Sequence, residues 1–523
     1  MLSTGSSPAL DADGARVGIR GWLALAVLML PVLLVSVDNT VLAFALPEIA
    51  LSLAPSGAQQ LWIIDIYPLV LAGLLVTMGT LGDRFGRRRM LLIGATGFAA
   101  VSALAAFAPT AGLLIAARAL LGFFGAMLMP STLSLLRSIF TNRDQRRLAI
   151  AVWAAAFSAG AALGPIVGGL LLEHYWWGSV FLMAVPVLIP LLVAAPLLVP
   201  ESRDPNPGRI DPLSIVLSMA TMIPVVYMIK SFAVGGLSLT GAGWGLLGLL
   251  MGVLFVRRQL AAAAPGSTRA PMLDMALFRR GGFSGAILVN LLSVVALVGF
   301  LYFVPQHLQL VLGMSPMAAG FALVPGMIAI ILSGLGVVPI ARRLAPRVVV
   351  PVALTFSIVG YLLVAFAADE NALASLVLAF VVLGLGIGAA ETVSNELILA
   401  HAPAEKAGAA SAVSETAYEL GAVLGTALLG GLLTAFYRGA LVIPEGVSDA
   451  AGAAARETLA GAWTVAQDLP GDIGAVLWDA AVTAFESGVT VTSLIGAVLV
   501  FVAVVIAGAT LGGGAHGATS RTE

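Results

Sequence analysis

Acidic residues stand inside long apolar stretches of this 523-residue chain, where an ionised side chain is costly. Asp38 and Asp65 fall in the first two stretches, Glu391 in the twelfth, and Glu415 and Glu419 in the thirteenth. The last two are four residues apart, so they share one helical face and titrate as a coupled pair. Low-dielectric surroundings favour the protonated form of a carboxyl group. Such groups can exchange a proton for an organic cation.

Some of these acids also have a purely structural interpretation. Asp65 stands close to the end of its stretch and could be wetted at the membrane surface. Glu391 could hydrogen-bond within a helix bundle near Asn395, and Glu396 could be solvated at the end of the same stretch. Asp38 and the glutamate pair lie deeper and are harder to explain as structural residues.

One basic residue, Arg118, also lies within an apolar stretch. Inserting a charge at this depth costs at least ~2.5–3.5 kcal/mol. The guanidinium therefore needs an acidic or carbonyl partner, or a water-filled cavity.

Composition places the chain in a membrane. Hydrophobic residues make up 60% of it and charged residues only 10%, whereas a soluble domain carries about 25% charged residues. The net charge of −1 gives no argument for nucleic-acid binding. The sequence has no cysteine, four scattered histidines and no phosphate-loop lysine, so we expect neither a metal, a cofactor nor ATP hydrolysis. No nucleophile with a base stands at membrane depth, which argues against an enzyme.

The apolar stretches predict an all-α polytopic membrane protein with fourteen spans, each needing ~20 residues. The predicted spans are 22–46, 61–81, 90–108, 111–134, 148–172, 179–199, 211–232, 241–256, 283–304, 317–341, 349–368, 372–399, 407–436 and 488–510. They divide into six-helix halves at 22–199 and 283–510, with two inserted helices at 211–256. The remaining segments are tails at 1–21 and 511–523 and a long acidic loop at 437–487, which is either simply solvated or a vestibule that attracts cations.

Basic residues predict the orientation, because arginine and lysine collect in cytoplasmic loops. With the N-terminus in the cytoplasm, most of the 26 basic residues fall on that side. Lys230, Arg438 and Arg456 are the exceptions outside, and Arg118 lies within a span. An even number of spans with both termini in the cytoplasm satisfies this bias. We therefore predict a multi-pass protein of a bacterial cytoplasmic membrane.

Glycine motifs mark two places where helices approach closely. The loop after span two reads Gly-Thr-Leu-Gly-Asp-Arg-Phe-Gly-Arg-Arg-Arg, and span five repeats glycine every four residues, so that one face admits another backbone. Pro165 in span five removes a backbone donor and can bend the helix. The loop residues are Gly79, Gly82, Asp83, Arg84, Gly86 and Arg87, and those of span five are Gly160, Gly164, Pro165, Gly168 and Gly169.

Aromatic residues near the acids are candidates for a substrate pocket. Trp62, Tyr67, Tyr302 and Tyr418 each lie near a candidate acid or a span end. A flat aromatic cation gains ~0.5–2 kcal/mol from each ring it faces. An apolar pocket with a few carboxylates would tolerate many shapes, which predicts broad specificity.

These motifs resemble the major facilitator superfamily. The loop after span two matches its signature loop, and span five is similar to the motif of its exporters. Over nearly its whole length the chain resembles the fourteen-span drug/proton antiporters within it. The resemblance implies proton-driven export of hydrophobic cations, such as ethidium, acriflavine, quaternary ammonium biocides and fluoroquinolones, by a protein expected to be a monomer in the bilayer. An exporter of an endogenous lipid or antibiotic is the alternative.

The resemblance also implies roles for particular residues. It assigns proton and cation binding to the acids that match Asp38, Asp65, Glu415 and Glu419, and proton coupling to Arg118. It makes the loop at Asp83 a conformational latch instead of a drug site.

Overall fold

A computed structural model describes residues 16–204, 211–236, 238–264, 267, 271–366, 372–402 and 407–512, without the side chains of 143, 233–235 and 407–409. Most of the two predicted tails, 1–21 and 511–523, lies outside the described residues. Four of the basic residues that the prediction places on the cytoplasmic side, Arg209, Arg269, Lys406 and Arg521, also lie outside them.

The described residues are mostly helical, with fourteen helices long and apolar enough to cross a membrane, which confirms the predicted fold class. The first half contains α1 (Ile19–Leu53), α2 (Gly57–Phe85), α3 (Arg87–Ala105), α4 (Ala111–Ile139), α5 (Arg143–His174), α6 (Ser179–Leu182) and α7 (Ala184–Leu198). The inserted pair is α8 (Pro212–Gly235) and α9 (Leu239–Ala262). The second half contains α10 (Gly281–Gln306), α11 (Pro316–Ala341), α12 (Pro346–Ala365), α13 (Ala372–Ala400), α14 (Ala407–Gly425), α15 (Gly431–Ala440), α16 (Asp449–Glu457), α17 (Leu459–Asp468) and α18 (Gly471–Thr510).

Short polar residues fix where several helices begin, since their side chains satisfy backbone N–H groups that have no helical partner. The Ser56 hydroxyl accepts from the Gln59 N–H at 3.3 Å, and the Gln59 side chain accepts from the Ser56 N–H at 3.0 Å. This reciprocal capping box starts α2. The side chains of Thr110, Asn142 and Ser238 cap α4, α5 and α9 by accepting from backbone N–H groups, without the reciprocal bond.

The last helix is longer than its apolar stretch. It runs over 40 residues from Gly471, whereas hydropathy alone placed its start at 488. The last third of the predicted loop 437–487 therefore belongs to α18, and α16 and α17 occupy much of the rest. Asp472, Asp479 and Glu486 lower the hydropathy of this segment without preventing a helix that projects beyond the membrane. The inserted helix α9 likewise exceeds its predicted range of 241–256.

The bundle has two distinct ends. We call the end that carries Arg84, Arg87 and Arg88 the basic end, and the end that carries α16 and α17 the loop end. At the loop end the two halves touch directly: a Cβ on Gly169 of α5 would stand 2.8 Å from the Met317 Cα of α11. Hydrogen bonds join the halves there as well, namely Gln60 to Gln306, Gln309 to the Phe44 carbonyl, the Met317 N–H to Glu173, and the Gly57 N–H to Glu457. The loop end is therefore closed.

Candidate functional site

A central cavity lies between the two halves, with an empty volume of about 700 Å³ that includes its open mouth. Helices α1, α2 and α4 line it from the first half, and α10 and α14 line it from the second. Most of its walls are apolar. The polar groups that reach it are those of Asn39, Thr40, Arg118, Tyr302, Tyr418 and Thr426.

Arg118 and Asp38 form a buried ion pair at the side of this cavity. A guanidinium nitrogen of Arg118 lies 2.7 Å from Oδ2 of Asp38, and their side chains are 2% and 7% exposed. The Arg118 Nε donates to the Ile63 carbonyl at 3.3 Å, and the guanidinium carbon lies 4.5 Å from the centre of the Tyr67 ring. The arginine thus has both the acidic and the carbonyl partner that its depth requires.

A second buried ion pair joins Asp65 of α2 to Lys230 of the inserted helix α8. The Lys230 Nζ lies 2.9 Å from Oδ2 of Asp65, with side-chain exposures of 2% and 0%. The ammonium also lies 3.8 Å from the centre of the Trp62 ring. Asp65 is therefore buried instead of being wetted at a membrane surface. The distribution of basic residues had placed Lys230 outside, but its side chain is buried within the bundle.

The three glutamates of α13 and α14 have no such basic partner among the described residues. Glu415 and Glu419 flank Tyr418 along α14, and the Ser414 hydroxyl donates to the Asn395 side chain at 2.7 Å, which joins α14 to the helix that carries Glu391. Glu419 is 3% exposed, and its carboxyl lies beside the Asn39 side chain of α1. Oε1 of Glu391 is buried without a hydrogen-bond partner, although Asn395 stands four residues on and bonds to Ser414 and Asn290 instead. Uncompensated acid at membrane depth is thus concentrated in the second half.

The predicted aromatic residues divide into two groups. The rings of Tyr67 and Trp62 already face cations of the protein itself, Arg118 and Lys230. Tyr302 and Tyr418 line the central cavity. These two are the predicted aromatic residues that the structure places where a cargo molecule could meet them.

The sequence reasoning missed an aromatic wall opposite Tyr418. The Phe157 ring of α5 meets the Tyr418 ring edge-to-face, with centroids 6.0 Å apart. Trp153, one helical turn earlier, stacks on Phe157 at 6.4 Å. These residues belong to a long helix of mixed composition, and sequence alone gave no signal that set them apart from packing residues. Asn39 and Thr40 had a signal, because they directly follow Asp38.

The loop at the basic end holds parts of the first half together. Asp83 binds Arg87 through contacts of 2.9 and 2.8 Å, and its carbonyl accepts from the Asp204 N–H at 2.9 Å. Gly86 has a φ of +116°, and a Cβ there would stand 2.8 Å from the Glu201 carboxyl carbon, so glycine is required twice over. Gly79 and Gly82 face α4 at ordinary contact distances, and the Arg84 guanidinium lies 5.9 Å from the centre of the Phe85 ring.

The glycine face of α5 packs against α1. A Cβ on Gly160 would stand 2.8 Å from the Ser36 Cβ, and one on Gly168 would stand 2.8 Å from Val41. Gly164 is equally close to Thr40. Thr40 uses the proximity to donate to the Ala161 carbonyl at 3.1 Å. Pro165 and Gly169 face α11 instead, at the closed loop end.

This architecture is that of a transporter, and comparison with known proteins assigns the family. The profile of the Major Facilitator Superfamily matches residues 28–426, so the chain belongs to this superfamily of membrane transporters, as its loop motif predicted. The chain is 56% identical over 493 residues to the "Multidrug efflux pump LfrA" of Mycolicibacterium smegmatis, covering 94% of this chain and 97% of that protein. It is 38% identical over 474 residues to the "Methyl viologen resistance protein SmvA" of Salmonella typhimurium, covering 89% and 93%.

A solved structure supports the fold. The crystal structure of a bacterial homologue of the human lysosomal transporter Spinster, in an inward-facing and unoccupied conformation, superposes with a TM-score of 0.64. That match covers 94% of this chain and 98% of the other, at 17% identity. At this identity the likeness concerns architecture alone.

Proposed function

We propose that this protein is a proton-coupled multidrug exporter of hydrophobic, mostly cationic compounds. The observation that carries the proposal is the group of three glutamates on α13 and α14, Glu391, Glu415 and Glu419, which have no basic partner among the described residues. The aromatic wall of Phe157 lies across from them on the other half. The names of the relatives, a multidrug efflux pump and a methyl viologen resistance protein, supply the substrate class.

In the proposed cycle, proton and cargo compete for the same carboxyl groups. A cation that binds against the rings of Tyr418 and Phe157 gains cation–π attraction and meets a glutamate as its counter-ion. The glutamates release protons when the cation binds, because a buried carboxylate is stable only with a positive partner. Protons from the far side then displace the cargo. Asp38 and Arg118, held to each other at 2.7 Å, keep their charges balanced beside this site.

In alternating access, the cavity is closed to one side of the membrane at a time. The closed loop end corresponds to one of the two states that this requires. We assign the basic end to the cytoplasm by the distribution of arginine. The structure is then an inward-facing state of a bacterial cytoplasmic membrane protein with both termini inside, whose halves 22–199 and 283–510 rock about the central cavity. Energy comes from the proton gradient without a cofactor, and each monomer is a complete transport unit.

Export of an endogenous lipid or antibiotic is the second candidate. The apolar walls of the cavity suit either cargo. A neutral or anionic lipid would gain nothing from Glu415 and Glu419, so the acids favour a cation as the primary cargo.

Proton release on binding tests the proposal. Purified protein in weakly buffered detergent receives ethidium while a pH indicator records the protons set free. We expect acidification that saturates with binding and is lost in E415Q/E419Q. The matched control is E396Q, which alters an exposed glutamate of α13 and keeps the release. Ethidium binding without any proton release by the unaltered protein contradicts the proposal.

A further inference from the structure

The inserted helix pair contributes a charge to the transport path. We propose that Lys230 is the permanent counter-ion of Asp65, so that Asp65 carries no exchangeable proton and offers no binding site for cargo, an inference that rests on the proposed function. The inserted pair is then a functional part of the transporter, because it sets the number of free negative charges that a cationic cargo can use.

The geometry of the pair leaves no room for another cation. The Lys230 Nζ stands 2.9 Å from the Asp65 Oδ2 and 3.8 Å from the centre of the Trp62 ring. A carboxylate together with an aromatic face is the arrangement that recognises an organic ammonium group. Here the protein supplies that ammonium group itself, with both side chains at most 2% exposed.

The balance of buried charge separates Asp65 from the glutamates. Asp38 is matched by Arg118, and Asp65 is matched by Lys230. The three glutamates of α13 and α14 are matched by no base among the described residues. Protonating Asp65 would leave the Lys230 ammonium group buried without its partner, so the contact between the two side chains holds both charges together.

Helix α8, which carries Lys230, packs against both halves of the transporter. Val226 of α8 packs in one buried cluster with Leu69 of α2 and with Val423 and Ala427 from the second half. The inserted pair therefore covers the seam between α2 and α14. Lys230 reaches through this seam to Asp65, close to Thr426 and Tyr302 of the cavity wall.

Removing either partner alone has a specific consequence. D65N leaves an uncompensated ammonium group beside the path of a cation, which repels cargo and is costly to bury. K230M leaves an uncompensated carboxyl group, which becomes a further exchangeable site. D65N/K230M removes both charges, so the net buried charge at this site is again zero, as in the unaltered protein.

Ethidium efflux in cells tests these consequences, with expression of each variant checked by fluorescence-detected size exclusion. We expect D65N to slow efflux by about tenfold or more, since one charge of a buried pair is left alone. D65N/K230M should return to within about threefold of the unaltered protein, because the two substitutions are strongly coupled. K230R, which keeps the pair, is the matched control and should retain efflux. A double variant as inactive as D65N, or one absent from the membrane, overturns the proposal.

Proton release gives a second, independent readout. K230M should release more protons per bound ethidium than the unaltered protein, and D65N/K230M should not. Equal release from K230M and the unaltered protein overturns the inference while leaving the proposed function intact. Absence of release from the unaltered protein would instead contradict the proposed function.

Discussion

The Arg118 guanidinium and the Asp38 carboxylate lie 2.7 Å apart in a part of the bundle where both side chains are almost fully buried. This pair joins α4 to α1, and the matching pair of Lys230 and Asp65 joins α8 to α2. Both pairs use an acid that sequence reasoning had grouped with Glu415 and Glu419 as proton carriers. Their partners give these two aspartates a different electrostatic environment from the glutamates.

Loss of the Asp38 charge should stop transport by leaving Arg118 alone. We expect D38N to abolish ethidium efflux and to destabilise the protein, because breaking a buried pair costs about 3–5 kcal/mol. Thermal unfolding in detergent and efflux in cells measure the two effects. Full efflux by D38N would remove the pair from the mechanism.

Loss of a single glutamate should affect coupling more than folding. E415Q keeps the shape of the side chain and removes one exchangeable proton, so we expect ethidium efflux to stop while expression and unfolding temperature stay unchanged. E396Q serves as the control from the neighbouring helix, since Glu396 is exposed. Efflux by E415Q at the unaltered rate would exclude this carboxyl group from proton exchange.

The aromatic wall should set affinity for flat cations. F157A removes the ring that meets Tyr418, so we expect ethidium to bind about 2- to 30-fold more weakly, the equivalent of ~0.5–2 kcal/mol of cation–π attraction. Ethidium fluorescence on titration with protein measures the change. F157W retains an aromatic face, so its loss of ethidium affinity should lie at the small end of that range. Unchanged affinity in F157A would show that cargo does not touch this wall.

A contact at Asp211, the residue directly before α8, anchors the inserted helix pair. Arg258 of α9 binds both carboxylate oxygens of Asp211, at 2.9 and 2.7 Å, and Asp211 also caps α8 through Ser214. The arginine and these hydrogen bonds lower the pKa of Asp211 from 3.8 to about 2. A lowered folded-state pKa stabilises the protein above the unfolded value, and the benefit is lost as the pH falls through the folded value.

D211N should therefore destabilise the protein near neutral pH by on the order of 1 kcal/mol, because solvent screens an ion pair at this position. The difference in unfolding temperature between D211N and the unaltered protein should stay constant from about pH 7 to pH 5 and shrink below about pH 4. An equal difference at every pH would mean that the carboxylate charge contributes nothing.

The tight approach at the loop end can be tested because the chain has no cysteine. A Cβ on Gly320 of α11 would collide with the Pro165 carbonyl of α5, so G320V should force the loop end open. A single cysteine in place of Gln60, which bonds across this seam, should react faster with a water-soluble maleimide in G320V. A reaction rate that does not change would indicate that this contact is not a gate.

Hydropathy predicted the fourteen spans because lipid demands long apolar helices. The resemblance of the loop after span two to a known signature loop predicted the superfamily. The pairing of Lys230 with Asp65 could not be predicted, because it depends on how α8 packs on α2. The sequence did contain one indication, because Lys230 lies within the predicted span 211–232 and a charge at that depth requires a partner. The contact between Phe157 and Tyr418 could not be predicted either, because it depends on how two helices far apart in sequence pack together. The early start of α18 was hidden because three acids lower the local hydropathy.

Transport in proteoliposomes tests the central claim most directly. Purified protein is reconstituted, a pH gradient is imposed without ATP, and ethidium accumulation is followed with the unaltered protein and with E415Q/E419Q. The account predicts accumulation against the ethidium gradient that collapses with a proton ionophore and is absent in the double variant. Accumulation that persists after the pH gradient is dissipated, or that the double variant retains, would contradict it.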